Sequence, residues 1–217
     1  MPNNELENIE NTGADTRSTC KKPCKIGLKN RFGSKRIALI GLFVALSYAV
    51  SFLEIPLPLF GAGFLKLDFG NVFIVLLSFL LGPFEATVAC LLKESLRCLT
   101  SSSLCAGELA NFIVTTSYLL LPSIAYCYRK NIKTVLVTLV AGGIIATGAA
   151  LLANRFIVFP VYAYVFGGTI FGMTVIEAFS AFWLAVLLFN LIKTSVISIL
   201  TLLLYKRLSN FLKKIKI

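Results

Sequence analysis

Two polar residues, Asn190 and Lys193, lie inside the long apolar run FWLAVLLFNLIKTSVISILTLLLY. They are three residues apart, so in a helix they share one face. Both are more than ten residues from the basic C-terminal end, which makes it difficult for the lysine to extend to an interface. A cavity lined by protein or water would hold them at modest cost, and a purely structural bond between helices is the alternative.

Two further amides occur in similar settings. Asn111 follows Glu108 by three residues in GELANF, and Asn154 precedes a series of aromatic residues in LLANRFIVFPVYAYVFGG. The helix dipole explains a carboxylate in a first turn, and an interfacial belt explains most of the aromatic residues. Neither effect explains the two amides. Because asparagine both donates and accepts hydrogen bonds, these residues are candidates for binding a flat ligand with amide-like edges.

Enzymatic chemistry lacks its usual residues in this chain. There is no histidine, no G-x-x-x-x-G-K-[ST] phosphate loop, and no Ser or Cys beside a recognisable base. We therefore expect a protein that is not an enzyme and has no cofactor of its own. Lys93 and Glu94 form an ionisable pair within an apolar span, but adjacent helix positions point about 100° apart, so we expect them not to work face to face.

The six cysteines do not predict a metal site. Cys20 and Cys24 form a C-x3-C pair without further ligands nearby, whereas structural zinc takes four. We expect no bound metal. Cys105 falls in a predicted outer loop, where a disulfide to Cys98 is possible but not indicated by the spacing, and the cysteines in apolar runs suit packing.

The elements that carry these residues are membrane spans. The chain of 217 residues is 57% hydrophobic and 14% charged, with a mean hydropathy of +0.85, which is too apolar for a soluble domain. Six stretches approach or exceed the roughly 20 apolar residues that a crossing helix needs. They are Arg36–Leu53, Phe69–Leu81, Phe84–Leu99, Glu108–Tyr128, Thr134 to about Phe159, and about Ala178 to Tyr205. The fold class predicted is an all-α integral membrane protein.

Basic residues predict its orientation. Lys and Arg collect in segments 17–36, 129–133 and 206–216, and with six spans all three segments fall on one side. Cytoplasmic loops are enriched in Lys and Arg, so we expect both termini in the cytoplasm of a multi-pass protein of the cell membrane. The net charge of +11 then reflects topology and attraction to anionic lipid, and nucleic-acid binding is not implied.

The chain divides into two regions. Residues 1–34 are polar and lack apolar periodicity, so we interpret them as a disordered, basic cytoplasmic tail of undefined role. The tail does not resemble a cleavable signal peptide, since the apolar stretch behind it is long enough to span. Residues 35–217 form the six-helix membrane domain.

The segment EIPLPLFGAGFLKLDFGN, residues 54–71, follows the first span. It is too long for a hairpin and too apolar for a solvated linker. We interpret it as a lid over a pocket, and a loop lying on the lipid headgroups is the alternative.

Small residues recur every four positions along the first span, at Gly41, Ala45 and Ala49. Such spacing lets another helix approach closely. The stripe is a candidate surface for a partner protein, and packing inside the bundle is the alternative.

Five motifs occur in order along this frame: LKLDFGN, LLGPFEA, GELANF, NRFIVFPVYA and FNLIKTSVISILTLLLYKRL. Together they resemble the riboflavin-specific substrate-binding component of energy-coupling factor (ECF) vitamin transporters, the RibU family. The resemblance covers residues 36–214. It implies a six-helix subunit that captures riboflavin from outside beneath the loop and docks on a membrane coupling subunit driven by two ATP-binding subunits.

The resemblance also implies a set of site residues. Ligand contacts map to Asn154, Asn190 and Lys193. Asn111 and the loop residues Leu65, Leu67 and Asp68 are expected around the ring system. The small-residue stripe corresponds to the surface on which the family meets its coupling subunit.

Two positions depart from the family pattern: Lys93-Glu94 stands where Lys-Asn is usual, and Arg155 stands where an aromatic commonly follows the asparagine. Either could adapt the pocket to a related vitamin or a phosphorylated flavin. Within transport, the alternative is therefore the same architecture with another substrate, or a self-sufficient ion-coupled carrier. A membrane-embedded enzyme or assembly factor is the alternative from another class.

Overall fold

The computed structural model of the chain describes residues 33–57, 65–100, 105–128, 132–170 and 172–212. The predicted tail, including Cys20 and Cys24, lies almost wholly outside the described residues, as do the centre of the predicted lid and most of the loop at 129–133.

Within these residues the fold is mostly helical. The helices are α1 (Ser34–Ser51), α2 (Asn71–Leu80), α3 (Pro83–Cys98), α4 (Ala106–Tyr128), α5 (Ile132–Ala153), α6 (Phe159–Val165) and α7 (Val175–Leu212). A π-helical segment, Asn154–Val158, joins α5 to α6 without a break. Two short strands, β1 (Ile55–Pro56) and β2 (Lys66–Leu67), pair antiparallel between α1 and α2.

Each predicted span contains a helix, and the last helix continues beyond the predicted end. Three continuous helical stretches are long and apolar enough to cross a membrane: Ala106–Tyr128, Lys133–Val165 and Val175–Tyr205. Arg36–Ser51 and Asn71–Leu80 are shorter apolar helices. At 1.5 Å per residue, α2 is about 15 Å long, half the thickness of a typical hydrocarbon core.

The short helix α2 lies at the centre of the bundle. Most of its side chains are buried, including Ile74, Val75 and Leu77, and they pack with Tyr118 and Leu119 of α4. A helix surrounded by others is apolar on all sides, which is why this segment also reads as a membrane span in the sequence.

Helices α4 and α5 make the most extensive helix contact in the described chain. Gly142 permits it, because a Cβ atom there would lie 2.8 Å from the Tyr118 carbonyl oxygen. No side chain larger than hydrogen fits at that distance, so the glycine sets how closely the two helices approach.

Helix α1 has one buried and one exposed face. Phe43, Val44 and Ser47 point into the bundle. Gly41, Ala45 and Ala49 are exposed, and the stripe predicted from sequence therefore does not pack inside the bundle.

Candidate functional site

A cavity of about 520 Å³ lies between α1, the β2 end of the loop, α3, α4, the π-helical segment and α7. This volume falls in the roughly 300–1,000 Å³ range of small-molecule sites. The apolar and aromatic lining residues are Tyr48, Phe52, Leu65, Ala110, Val114, Ala150, Val158, Tyr162 and Phe189. The polar and charged ones are Ser51, Glu54, Lys66, Asp68, Glu94, Arg97, Thr100, Glu108, Asn111, Asn154, Asn190 and Lys193.

Six of the seven side chains predicted to bind the ligand line this cavity. They are Leu65, Asp68, Asn111, Asn154, Asn190 and Lys193. Leu67 is not among the lining residues, because it is buried with Ala185, Val186 and Phe189 against α7. It anchors the end of the loop to the helix bundle.

The two amides Asn154 and Asn190 are oriented by their own helices. Asn154 Nδ2 donates to the Ala150 carbonyl and Asn190 Nδ2 donates to the Val186 carbonyl, each at 2.8 Å. Each bond uses one of the two N–H donors of its amide. Both side chains are thus held in fixed positions on the cavity wall with further bonding capacity.

The π-helical segment places a line of residues along one wall. Ala150, Asn154, Val158 and Tyr162 recur every fourth position, and all four line the cavity. In a regular α-helix a residue four positions on has turned by 400°, so three such steps would rotate the line by about 120°. The wider π turn contains more residues per turn and offsets this drift.

Pro160 follows directly after the start of α6 and accounts for the change of helix type. Its ring lacks an N–H donor and clashes with the carbonyl four residues earlier, so a regular α-helix is disfavoured across Asn154–Val158. The π turn was not predicted from the sequence, although the proline directly after the predicted end of the fifth span was a visible signal.

A buried polar network adjoins the cavity. Its members are Asp68, Asn71, Lys93, Glu94, Asn111 and Lys193. Lys93 has no exposed surface, and its Nζ donates to Asp68 Oδ2, to Asn71 Oδ1 at 2.8 Å and to Glu94 Oε1 at 2.8 Å. The expectation that Lys93 and Glu94 do not meet is therefore wrong. The long lysine stem bridges the angle between adjacent helix positions.

Asn111 is saturated by protein partners. Its Nδ2 donates to Glu94 Oε1 at 2.5 Å and to Asp68 Oδ2 at 3.4 Å. Its Oδ1 accepts from Lys193 Nζ at 2.5 Å and from Asn71 Nδ2 at 3.1 Å. An amide has two donors and two acceptor lone pairs, so these four bonds use its full capacity. In this arrangement Asn111 positions Lys193 and Glu94.

Asp68 fixes the end of the loop to α1. Its Oδ1 accepts from Ser51 Oγ and from the Gly70 backbone N–H, both at 2.8 Å. Ser47 Oγ donates to the Gly70 carbonyl at 2.7 Å. A Cβ atom on Gly70 would lie 2.3 Å from the Ser47 carbonyl, so only glycine allows this close passage of loop and helix.

A second tie, here called the loop latch, consists of Glu54, Lys66 and Arg97. Glu54 accepts from Lys66 Nζ at 2.5 Å and from Arg97 Nη2 at 2.6 Å, which joins both ends of the loop to α3. Partial burial would raise the pKa of Glu54, but the hydrogen bonds and charges of Arg97 and Lys66 outweigh it and hold that pKa below its ordinary value.

The two departures from the family pattern lie in different surroundings. Glu94 is part of the cavity wall. Arg155 is exposed, and its guanidinium lies 5.1 Å from the centre of the Phe179 ring. It is not a lining residue of the cavity, so of the two departures only Glu94 reaches the site.

Cys98 and Cys105 form a disulfide between the end of α3 and the start of α4, with their Cα atoms 4.9 Å apart. The pairing that the spacing left open is thus made. It lies next to Arg97 of the loop latch. Among the described residues, no group of three or more His, Cys, Asp or Glu is arranged to hold a metal.

Comparison with known families gives this arrangement a context. Residues 35–205 match the family described as "ECF transporter, substrate-specific component". The chain belongs to this family. A solved S component, described as "Structure and mechanism of the S component of a bacterial ECF transporter", shares 33% identity with a TM-score of 0.69, covering 83% of this chain and 98% of that chain.

Two sequence relatives align with this chain over nearly their whole lengths. The riboflavin transporter RibU of Staphylococcus aureus (strain TCH60) is 32% identical over 183 residues, which is 84% of this chain and 94% of the relative. The riboflavin transporter FmnP of Bacillus subtilis (strain 168) is 21% identical over 183 residues, which is 83% of this chain and 95% of the relative. The chain is therefore a substrate-capture component of a transporter in the cell membrane, and the family is not one of enzymes.

Proposed function

We propose that this S component captures riboflavin from outside the cell. The observation that carries the proposal is a cavity of about 520 Å³ in which aromatic and aliphatic walls surround two amides and a lysine. The similarity to RibU and FmnP, both named as riboflavin transporters, supports the same substrate.

The chemistry of the cavity suits an isoalloxazine. The ring system is flat and largely apolar, so it packs against side chains such as Tyr48, Tyr162 and Phe189. Its edge carries amide-like donors and acceptors that match Asn154 and Asn190. Riboflavin is transported here as a ligand and does not act as a cofactor.

Lys193 is the proposed cationic contact. Of its three N–H donors, one bonds Asn111, which leaves donors for a flavin carbonyl or ribityl oxygen. Leu65 adds an apolar contact from the loop. Asn111, Asp68 and Leu67 hold these groups in place, so we assign them a supporting role around the ring system.

We further propose six membrane spans with both termini in the cytoplasm. The support is the placement of basic residues, together with a helix in every predicted span. Residues 1–34 would form the cytoplasmic tail and residues 35–217 the membrane domain. A cysteine introduced at Ser102 should react with an impermeant reagent from outside and one at Asn131 should not. The reverse pattern would refute this orientation.

The exposed stripe of Gly41, Ala45 and Ala49 is the proposed docking surface for the membrane coupling subunit. Two ATP-binding subunits would supply the energy through that subunit. The support is the exposure of all three residues on the outer face of α1, where small side chains allow a partner helix to approach closely.

Flavin binding by the full chain in detergent tests the substrate. We expect the purified protein to quench added riboflavin fluorescence or to carry a yellow ligand. Asn190→Ala and Lys193→Ala should each weaken binding by about 1–3 kcal/mol, the cost of leaving a buried polar group unpaired. Ser195→Ala, on the exposed face of the same helix, should bind normally. A chain that neither carries nor quenches a flavin would refute riboflavin as the substrate.

A further inference from the structure

Glu94 has one carboxylate oxygen that the protein binds and one that it does not. Oε1 accepts from Lys93 Nζ at 2.8 Å and from Asn111 Nδ2 at 2.5 Å. Oε2 is buried, and no hydrogen-bond donor reaches it among the residues that the structure describes. The residue as a whole is only 4% exposed.

A structural role in the polar network accounts for Oε1 alone. The two bonds to Oε1 join Glu94 to Lys93 and, through Asn111, to Lys193. They place the carboxylate on the cavity wall, where Glu94 is a lining residue. A buried carboxylate oxygen without a donor is unfavourable, because it has lost water and gained no bond.

We propose that Glu94 determines substrate specificity by accepting a hydrogen bond through Oε2 from an N–H or O–H group of the bound substrate. This inference rests on the proposed function, in which the donor is the imide N–H of riboflavin or one of its ribityl hydroxyls. The neighbouring Lys193 ammonium supplies donors, so the pair presents an acceptor beside a donor. Such a pair favours a substrate that places a carbonyl oxygen next to an N–H or O–H group, so that Lys193 donates to the first and Glu94 accepts from the second.

Glu94→Gln isolates this role. The glutamine oxygen can occupy the Oε1 position and keep the bonds from Lys93 and Asn111. Its NH2 group then occupies the Oε2 position, where it presents a donor to the donor of the substrate. We expect riboflavin affinity to fall by about 10- to 100-fold, as for a buried polar group that loses its partner. Glu85→Gln, at the other end of α3 and outside the cavity, removes the same charge and should bind as wild type.

Two flavin analogues identify the donor. 3-Methylriboflavin lacks the imide N–H, and lumiflavin lacks the ribityl chain. We expect wild type to bind one of them more weakly than riboflavin, and we expect Glu94→Gln to cause no further loss for that analogue. Fluorescence titration of the full chain in detergent measures all combinations, and thermal unfolding verifies that each variant is folded.

The outcomes separate the two proposals. If wild type binds riboflavin and Glu94→Gln binds it equally well, Oε2 accepts no substrate donor and this inference fails while the proposed function stands. An equal loss for riboflavin and both analogues would also overturn it, because the effect would then come through the polar network. Absence of flavin binding by wild type would refute the proposed function and the flavin donor with it.

Discussion

Replacing Asn111 with alanine distinguishes a residue that positions the site from one that contacts the ligand. Asn111 bonds Lys193 Nζ and Glu94 Oε1, both at 2.5 Å, and both partners are almost fully buried. Hydrogen bonds to charged groups contribute about 1.5–3 kcal/mol each. The alanine variant removes both of these bonds, together with the longer ones to Asp68 and Asn71, and should be destabilised by about 3 kcal/mol or more.

Thermal unfolding of the full chain without riboflavin measures this cost. For a protein of this length, 1 kcal/mol corresponds to roughly 2–4 °C in the apparent Tm, so we expect a decrease of at least about 6 °C. Asn190→Ala is the matched control. It removes one bond to a carbonyl of its own helix, which contributes about 1 kcal/mol, and it should lower the Tm by no more than about 4 °C.

The two variants should therefore differ in kind. Asn111→Ala loses stability in the absence of ligand, whereas Asn190→Ala retains most of its stability and loses affinity. The reasoning is refuted if Asn111→Ala unfolds within about 2 °C of wild type yet binds riboflavin 10-fold or more weakly, because Asn111 would then contact the ligand directly.

Three further predictions concern the surroundings of the cavity. Ala45→Leu or Ala49→Leu should abolish ATP-driven uptake while the isolated subunit still binds riboflavin; loss of both would show that the stripe packs the fold. The lowered pKa of Glu54 means that the loop latch is complete above the ordinary value of about 4.3 and is lost as pH falls through the lowered pKa, so flavin dissociation should accelerate only in acid. Flavin should dissociate quickly from Glu54→Gln at every pH. Equal dissociation rates from the variant and from wild type would show that the loop latch does not retain the flavin. Replacing Cys98 and Cys105 with serine should lower the free energy of unfolding by about 2–3 kcal/mol, because the unfolded chain gains loop entropy. In the wild-type protein, mass measurement should show that an alkylating reagent modifies these two cysteines only after reduction.

Helix positions and several polar cavity residues were predictable because each depends on local pattern, and the family resemblance added Leu65 and Asp68. Apolar runs of span length predict helices whatever their neighbours, and a polar residue such as Asn190 stands out within one. Its direction also follows from spacing, since Asn190 and Lys193 share a helix face. The spacing left open whether that face meets a cavity or another helix. In the structure both residues line the cavity, and Lys193 also bonds Asn111 of α4.

The features that sequence reasoning missed depend on distances between elements. The saturation of Asn111 requires four partners from α2, α3, α7 and the loop end, which no spacing rule brings together. The contact of Lys93 with Glu94 depends on the length of the lysine side chain. The angle of about 100° between adjacent helix positions describes only the directions of the Cβ atoms, so it does not reveal this contact. The buried position of Leu67 depends on its packing against α7, which is distant in sequence, and its two-residue strand is too short to leave an alternating pattern.

Helix α1 contributes to two surfaces at once. Ala45 and Ala49 are exposed on its outer face, while Ser47 and Ser51 on the inner face bond Gly70 and Asp68 at the end of the loop. A ligand that contacts the loop end and a partner that docks on the outer face of α1 therefore both act on the same helix. Thermodynamic linkage makes their influence mutual: if vitamin binding strengthens docking tenfold, docking must strengthen vitamin binding tenfold. If the proposed coupling subunit docks on this helix and the two binding events are linked in this way, release of the vitamin requires energy that offsets the linkage.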